Sequence, residues 1–82
     1  MKQPQYFVES IWFGDKRYLF SFREVIVTSG IKFCVVTLDH DHLVVFEIKT
    51  DKKETLKIVP PVPDWIMSLE KRLIQLIEAR MS

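Results

Sequence analysis

Apolar and polar residues alternate through most of the first sixty positions, most clearly between Ile31 and Ile48. Two runs rich in β-branched and aromatic residues, Ile31–Leu38 and Leu43–Ile48, flank the polar tip Asp39-His40-Asp41-His42. That pattern predicts an antiparallel hairpin. A two-residue turn at His40-Asp41, or a four-residue loop, sets Leu38 against Leu43, Val36 against Val45 and Phe33 against Ile48. Side chains alternate across the pleat. One face then collects Ile31, Phe33, Val35, Thr37, Val44, Phe46 and Ile48 and must be core. The reverse collects Lys32, Cys34, Val36, Leu38, Leu43, Val45, Glu47 and Lys49, apolar in the middle and charged at its ends. A slip of one residue would exchange the two faces.

Upstream, residues 1–5 with Pro4 read as a frayed lead-in, and the sheet as a whole is expected over 5–59. Tyr6–Phe13 is a strand closed by the turn signal Gly14-Asp15, and a second strand runs from Lys16 or Arg17 to about Thr28. Phe7, Ile11, Phe13, Tyr18, Phe20 and Phe22 share its aromatic face. Ser29-Gly30 is the next turn signal; pairing Thr28 with Ile31 would set Ile26 against Phe33. A second strand of that length spans roughly 40 Å at 3.3 Å per residue, so a bulge at Arg23-Glu24 is expected to bend it. After the charged tip Thr50–Glu54 comes a short fifth strand, Thr55–Val59, whose register requires a loop of three or five residues.

Pro60-Pro61-Val62-Pro63 ends the sheet, since proline cannot donate to a ladder. The same stretch launches one helix over 64–81, with Asp64 placing negative charge at its positive end. Trp65, Ile66, Leu69, Leu73, Leu76 and Ile77 fill one sector of the wheel. Met67, Ile74 and Met81 widen the apolar arc on one flank, interrupted by Glu70. A helix lying on a sheet requires a stripe of only ~100°. The surplus flank is a first candidate contact surface.

Composition narrows the picture. The 82 residues fit one domain, and 48% are hydrophobic, including six Phe, two Trp and two Tyr. A formal net charge of +1, from 12 basic and 11 acidic side chains, gives no overall bias toward nucleic acid or an anionic membrane. A single cysteine forms no internal disulfide and suits a reducing compartment. The first residues lack the apolar run of a signal peptide, and no stretch is long enough to span a bilayer as a helix. A cytoplasmic location is the expectation.

Candidate chemistry is sparse. Asp39, His40, Asp41 and His42 gather both histidines among carboxylates, but a metal such as zinc requires three or four convergent ligands. Neighbouring strand residues point apart, and Cys34 lies about 16 Å away along the strand. Glu9 and Glu24 fall by alternation on the aromatic face, where a carboxylate pair could act as acid and base. They are unaccompanied by oxyanion donors, a glycine-rich loop or an activated nucleophile. Lys16–Arg23 interleaves aromatics with basic residues, as stacking platforms on RNA do, but without the glycines of that pattern and with its aromatics facing the core.

The fold class is therefore α+β: an antiparallel five-stranded bent meander, a half-barrel, followed by one C-terminal helix packed on the aromatic face. In layout this resembles the pleckstrin-homology-like superfold, without the basic phosphoinositide-binding loop pattern. The expected function is a small intracellular non-catalytic protein-association module, self-associating as a homodimer, with no cofactor. Its candidate contacts are Met67, Ile74 and Met81 on the helix and Val36, Leu38, Leu43, Val45 and Trp12 on the reverse sheet face, which also carries Val8 and Leu19. The rivals are an enzyme subunit, metal-dependent at the Asp39–His42 tip or acid/base at Glu9/Glu24, and a nucleic-acid or lipid-headgroup binder.

Overall fold

A computed structural model describes residues 3–81; Met1 and Lys2 of the expected lead-in, and Ser82, lie outside the described residues. Five antiparallel strands form one open sheet in sequence order: β1 (Tyr6–Phe13), β2 (Lys16–Val25), β3 (Lys32–Asp39), β4 (His42–Thr50) and β5 (Leu56–Val59). Two helical segments follow, α1 (Asp64–Met67) and α2 (Glu70–Met81).

The β3–β4 register is the expected one throughout, from Asp39↔His42 to Lys32↔Lys49. Its turn has two residues, His40 (φ 51°) and Asp41 (φ 67°), both left-handed. That geometry matches the right-handed twist of the flanking strands, and Asp is among the residues that tolerate it. Gly14, at φ 65°, supplies the left-handed residue of the β1–β2 turn. The β4–β5 connection has the five residues 51–55, which brings Ile58 opposite Ile48.

The β2–β3 pairing departs from the sequence expectation. Glu24, not Ile26, faces Phe33, and β2 ends at Val25 rather than Thr28. The shift is two residues, so each side chain keeps its face. Residues 26–31 form a longer connection held from outside the hairpin. The Ile31 amide donates to Thr50 Oγ1 (3.1 Å), and the Thr50 amide donates to the Ile31 carbonyl (3.0 Å). Gly30, at φ 77°, lies so close to the Thr50 side chain that a Cβ would collide with it. The expected bulge is likewise replaced by an unbroken ladder, in which Phe20–Arg23 pair with β1 and β3 at once.

The inner sheet face and the helices enclose the core, where Ile11, Phe20, Phe22, Phe33, Val35, Ile48, Ile66, Leu73 and Ile77 have no exposure. Phe7 stacks on Phe22 at 4.7 Å and meets Phe33 edge-on at 6.0 Å. Thr37, buried on this face, donates its hydroxyl to the Leu19 carbonyl (2.8 Å). Among the described residues no buried side-chain polar atom lacks a partner.

The single expected helix is broken at Ser68-Leu69. The Ser68 hydroxyl donates to the Trp65 carbonyl (2.6 Å), the acceptor that a continuous helix would offer to the Leu69 amide. Leu69 instead donates to Ile66 (2.9 Å), a tighter 3₁₀-type bond, and the helix restarts at Glu70. The detached first turn presents Trp65 to Tyr18 (4.5 Å), Phe13 (5.5 Å) and Phe20 (6.2 Å). Glu70, which interrupts the apolar arc, reaches β5 and accepts the Ile58 amide (2.9 Å).

Candidate functional site

The helices cover one face of the sheet only, and the other is ordered in rows. Register sets Val8, Ser21, Val36 and Val45 in line across β1–β4. The next row toward the turns is Ser10, Leu19, Leu38 and Leu43. Val36 and Ser21 are half-buried, but the other apolar side chains stay in water: Leu43 is 66% exposed, Leu38 58%, and Leu19 and Val45 55%. Ser21, short between Val8 and Val36, floors a shallow groove of about 360 Å³ lined by Val8, Leu19, Val36, Leu38 and Leu43. Contiguous exposed apolar surface of this kind marks interaction sites more often than bare monomer surface.

Charge on this face is one-sided, which the chain's near-neutral total conceals. Arg17, Arg23, Lys32, Lys49 and Lys57 stand on it, with Glu47 as its one acid among the described residues. Lys32, Lys49 and Lys57 lie directly across from one another on β3, β4 and β5. Like charges so placed are unfavourable; Lys32 is partly relieved by Glu47 at 3.1 Å. Exposed aromatics complete the rim: Tyr6, with Arg23 over its ring at 5.3 Å, and Trp12 opposite Arg17. The asymmetry was readable in the sequence once charges were assigned to faces by alternation rather than summed.

The remaining sequence candidates fall elsewhere. His40 and Asp41 form an exposed turn, and His40 Nε2 lies 3.6 Å from Asp39 Oδ1. Among the described residues no three of His, Cys, Asp and Glu come together as a metal-ligating set. Glu9 and Glu24 both point inward but are held apart. Glu9 faces Phe20, and Glu24 lies four residues further along β2, about 13 Å away. Glu9 Oε2 accepts Arg80 Nη2 (2.9 Å) and Nε (3.3 Å), while Glu24 Oε1 accepts the Gln5 amide (3.1 Å). The helix flank is divided: Ile74 and Met81 are half-buried against the core beside an open groove of about 840 Å³, and Met67 is exposed. Tyr18, Phe20 and Phe22, the aromatics of the basic stretch, are buried. Cys34 is a half-buried free thiol on the outer face. No helix among the described residues is long and apolar enough to cross a membrane.

No family model, no curated protein and no solved structure matches this chain.

Proposed function

We propose that this chain is a small, non-catalytic, cytoplasmic protein-association module whose uncovered sheet face docks another protein. The observation that carries the reading is the pair of adjacent apolar rows on β1–β4, exposed and bounded by basic residues. A rigid sheet presents such a surface ready-formed, so association orders little that was mobile before. The charge distribution fits a partner with an apolar centre and acidic flanks, and opposes face-to-face stacking of two copies. A reducing compartment suits the free Cys34 on this face.

A photo-crosslinking residue at position 38 of the full chain, in its native cells, tests this. The expected result is one discrete protein adduct, lost in the Val36→Lys variant and absent when the crosslinker is placed at Arg72 on the exposed helix surface. Adduct formation independent of position 36 would overturn the reading. So would transfer of the same residues onto phosphatidylserine vesicles or an oligonucleotide, with no protein adduct.

A further inference from the structure

The sheet has two edges, and they are protected unequally. Beyond β5, the outward-pointing backbone belongs to Leu56 and Ile58, because the Asp51 amide bonded to the Thr55 carbonyl (2.9 Å) sets the alternation. That edge has four residues, a lysine at position 57, a Pro60-Pro61 terminus, and the Ile58 amide bonded to Glu70. These are the devices by which sheets discourage strand addition.

The β1 edge has one of the known devices, an inward-pointing charge, and no other. It runs eight residues, Tyr-Phe-Val-Glu-Ser-Ile-Trp-Phe, without proline, lysine or bulge. The Glu24 amide bonded to the Gln5 carbonyl (2.8 Å) sets the phase on this side. Alternation then turns the backbone N–H and C=O of Tyr6, Val8, Ser10 and Trp12 away from the sheet. Its one charge, Glu9, is directed to the inner face and held by Arg80.

We infer that β1 pairs antiparallel with β1 of a second copy, about a two-fold axis at Glu9, to make one ten-stranded sheet. With the axis there, Tyr6 meets Trp12 of the second copy and Val8 meets its Ser10. The four outward-facing residues map onto one another in reverse, so every exposed edge group gains a partner, about eight hydrogen bonds in all. Moving the axis to Ser10 would set Tyr6 beyond the end of the opposing strand, against Gly14. Moving it to Val8 would set Trp12 against Pro4, which has no amide to give. The sequence therefore selects one register.

Charge selects the occupant. The axis brings the two Glu9 carboxylates together as a non-hydrogen-bonded pair, with Cα atoms about 4.5 Å apart, an arrangement that is repulsive alone. Both Arg80 bonds go to Oε2 of Glu9, and the Arg80 side chain is 48% exposed, so its guanidinium can also meet a second carboxylate. Two Glu9 and two Arg80 then alternate across the axis, a cancellation that only another copy supplies. On the outer face, Tyr6 and Trp12, each 60% exposed, cover one another across the junction. This junction shares only Tyr6, Val8, Ser10 and Trp12 at the margin of the docking face and leaves the rows on β2–β4 open, so either proposal can fail alone.

Sedimentation of the full chain tests the inference, together with Ser10→Pro. Proline at that position removes only an outward N–H and fits an edge strand. The expected result is a dimer for the parent and a monomer for Ser10→Pro, with circular dichroism unchanged and unfolding still cooperative but no longer dependent on protein concentration. Register is read separately in a Cys34→Ser background: Glu9→Cys should form an intermolecular disulfide under mild oxidation, and Trp12→Cys, displaced about 20 Å from its own copy, should not. A monomeric parent, a Ser10→Pro dimer, or equal crosslinking at positions 9 and 12 would overturn it.

Discussion

The two faces of the β1–β4 sheet both read as apolar, and they end in opposite environments. Inward, Phe20, Phe22, Phe33 and Val35 lose all contact with water; outward, Leu19, Leu38, Leu43 and Val45 keep more than half of theirs. The difference lies in reach and in the partner available. Aromatic side chains on the inner face extend to the helices, where Trp65, Leu73 and Ile77 meet them. The outer aliphatic rows have no second layer among the described residues. Polar groups divide the same way: Thr37 and Glu24, buried inward, bond to backbone, whereas the outer basic residues stand at the surface, where Lys32 meets Glu47 and Arg23 lies over Tyr6. An apolar strand face therefore establishes what could be covered; the element that covers it establishes what is.

The sharpest way to break the comparison is to empty the inner side. Phe20→Ala removes a fully buried ring from beside Trp65 and should cost ~3–5 kcal/mol in urea unfolding, through lost transfer energy and the cavity left behind. A loss under about 1 kcal/mol would mean that the two faces are energetically alike.

A second substitution tests how the helix is tied to the sheet. Glu70→Ala leaves the Ile58 amide without its carboxylate acceptor, at a cost of ~1–3 kcal/mol. Glu70→Gln keeps an acceptor and should recover much of that. Amide exchange at Ile58 should quicken in the alanine variant and much less in the glutamine one. Exchange in the alanine variant no faster than in the parent would show that the bond contributes nothing to holding the edge.

Most of this architecture was legible from periodicity. The β3–β4 register followed from a two-residue polar tip between matched apolar runs, and the core face from simple alternation. What escaped depended on distant residues. The Ser29-Gly30 turn signal was real, since Gly30 is left-handed, but Thr50 captures Ile31 and so sets where β2 and β3 pair. The break at Ser68 arises from one hydroxyl competing for a carbonyl, which no helical wheel records. Glu70 read as a flaw in an apolar stripe because its donor, the Ile58 amide, lies on another element. The uncovered apolar sheet face was visible in outline as Val36, Leu38, Leu43 and Val45, while its basic frame was hidden by a net charge taken over the whole chain.

The loop at the open end of β4 offers a smaller, local contrast with both faces. Asp51 Oδ1 accepts the Lys53 (2.8 Å) and Thr55 (3.0 Å) amides, and the Thr55 bond is the main cause of a carboxyl held below its usual value of 3.8. A depressed folded value means the charged form is favoured by the fold. The loop is therefore steadied above the ordinary carboxylate range and loses that support as pH falls through the lowered value. Lys53 and Thr55 amide resonances should shift together with Asp51 in an acid titration. In Asp51→Asn, which retains an acceptor without the charge, that shift should vanish. Core resonances such as Phe33 should stay still throughout, and their co-titration would contradict a local effect.

The smallest expected effect is also the one that separates the faces most cleanly. Leu43→Thr replaces a side chain that is 66% exposed with a β-branched residue suited to a strand. Its main loss is the cross-strand contact with Leu38, about 0.2–1 kcal/mol. Unfolding measured at two protein concentrations tells why. A small loss independent of concentration means that the outer rows belong to solvent in the isolated chain, free for another protein. A loss that grows with concentration means that copies of the chain already cover these rows, and the basic frame around them fails to keep such copies apart.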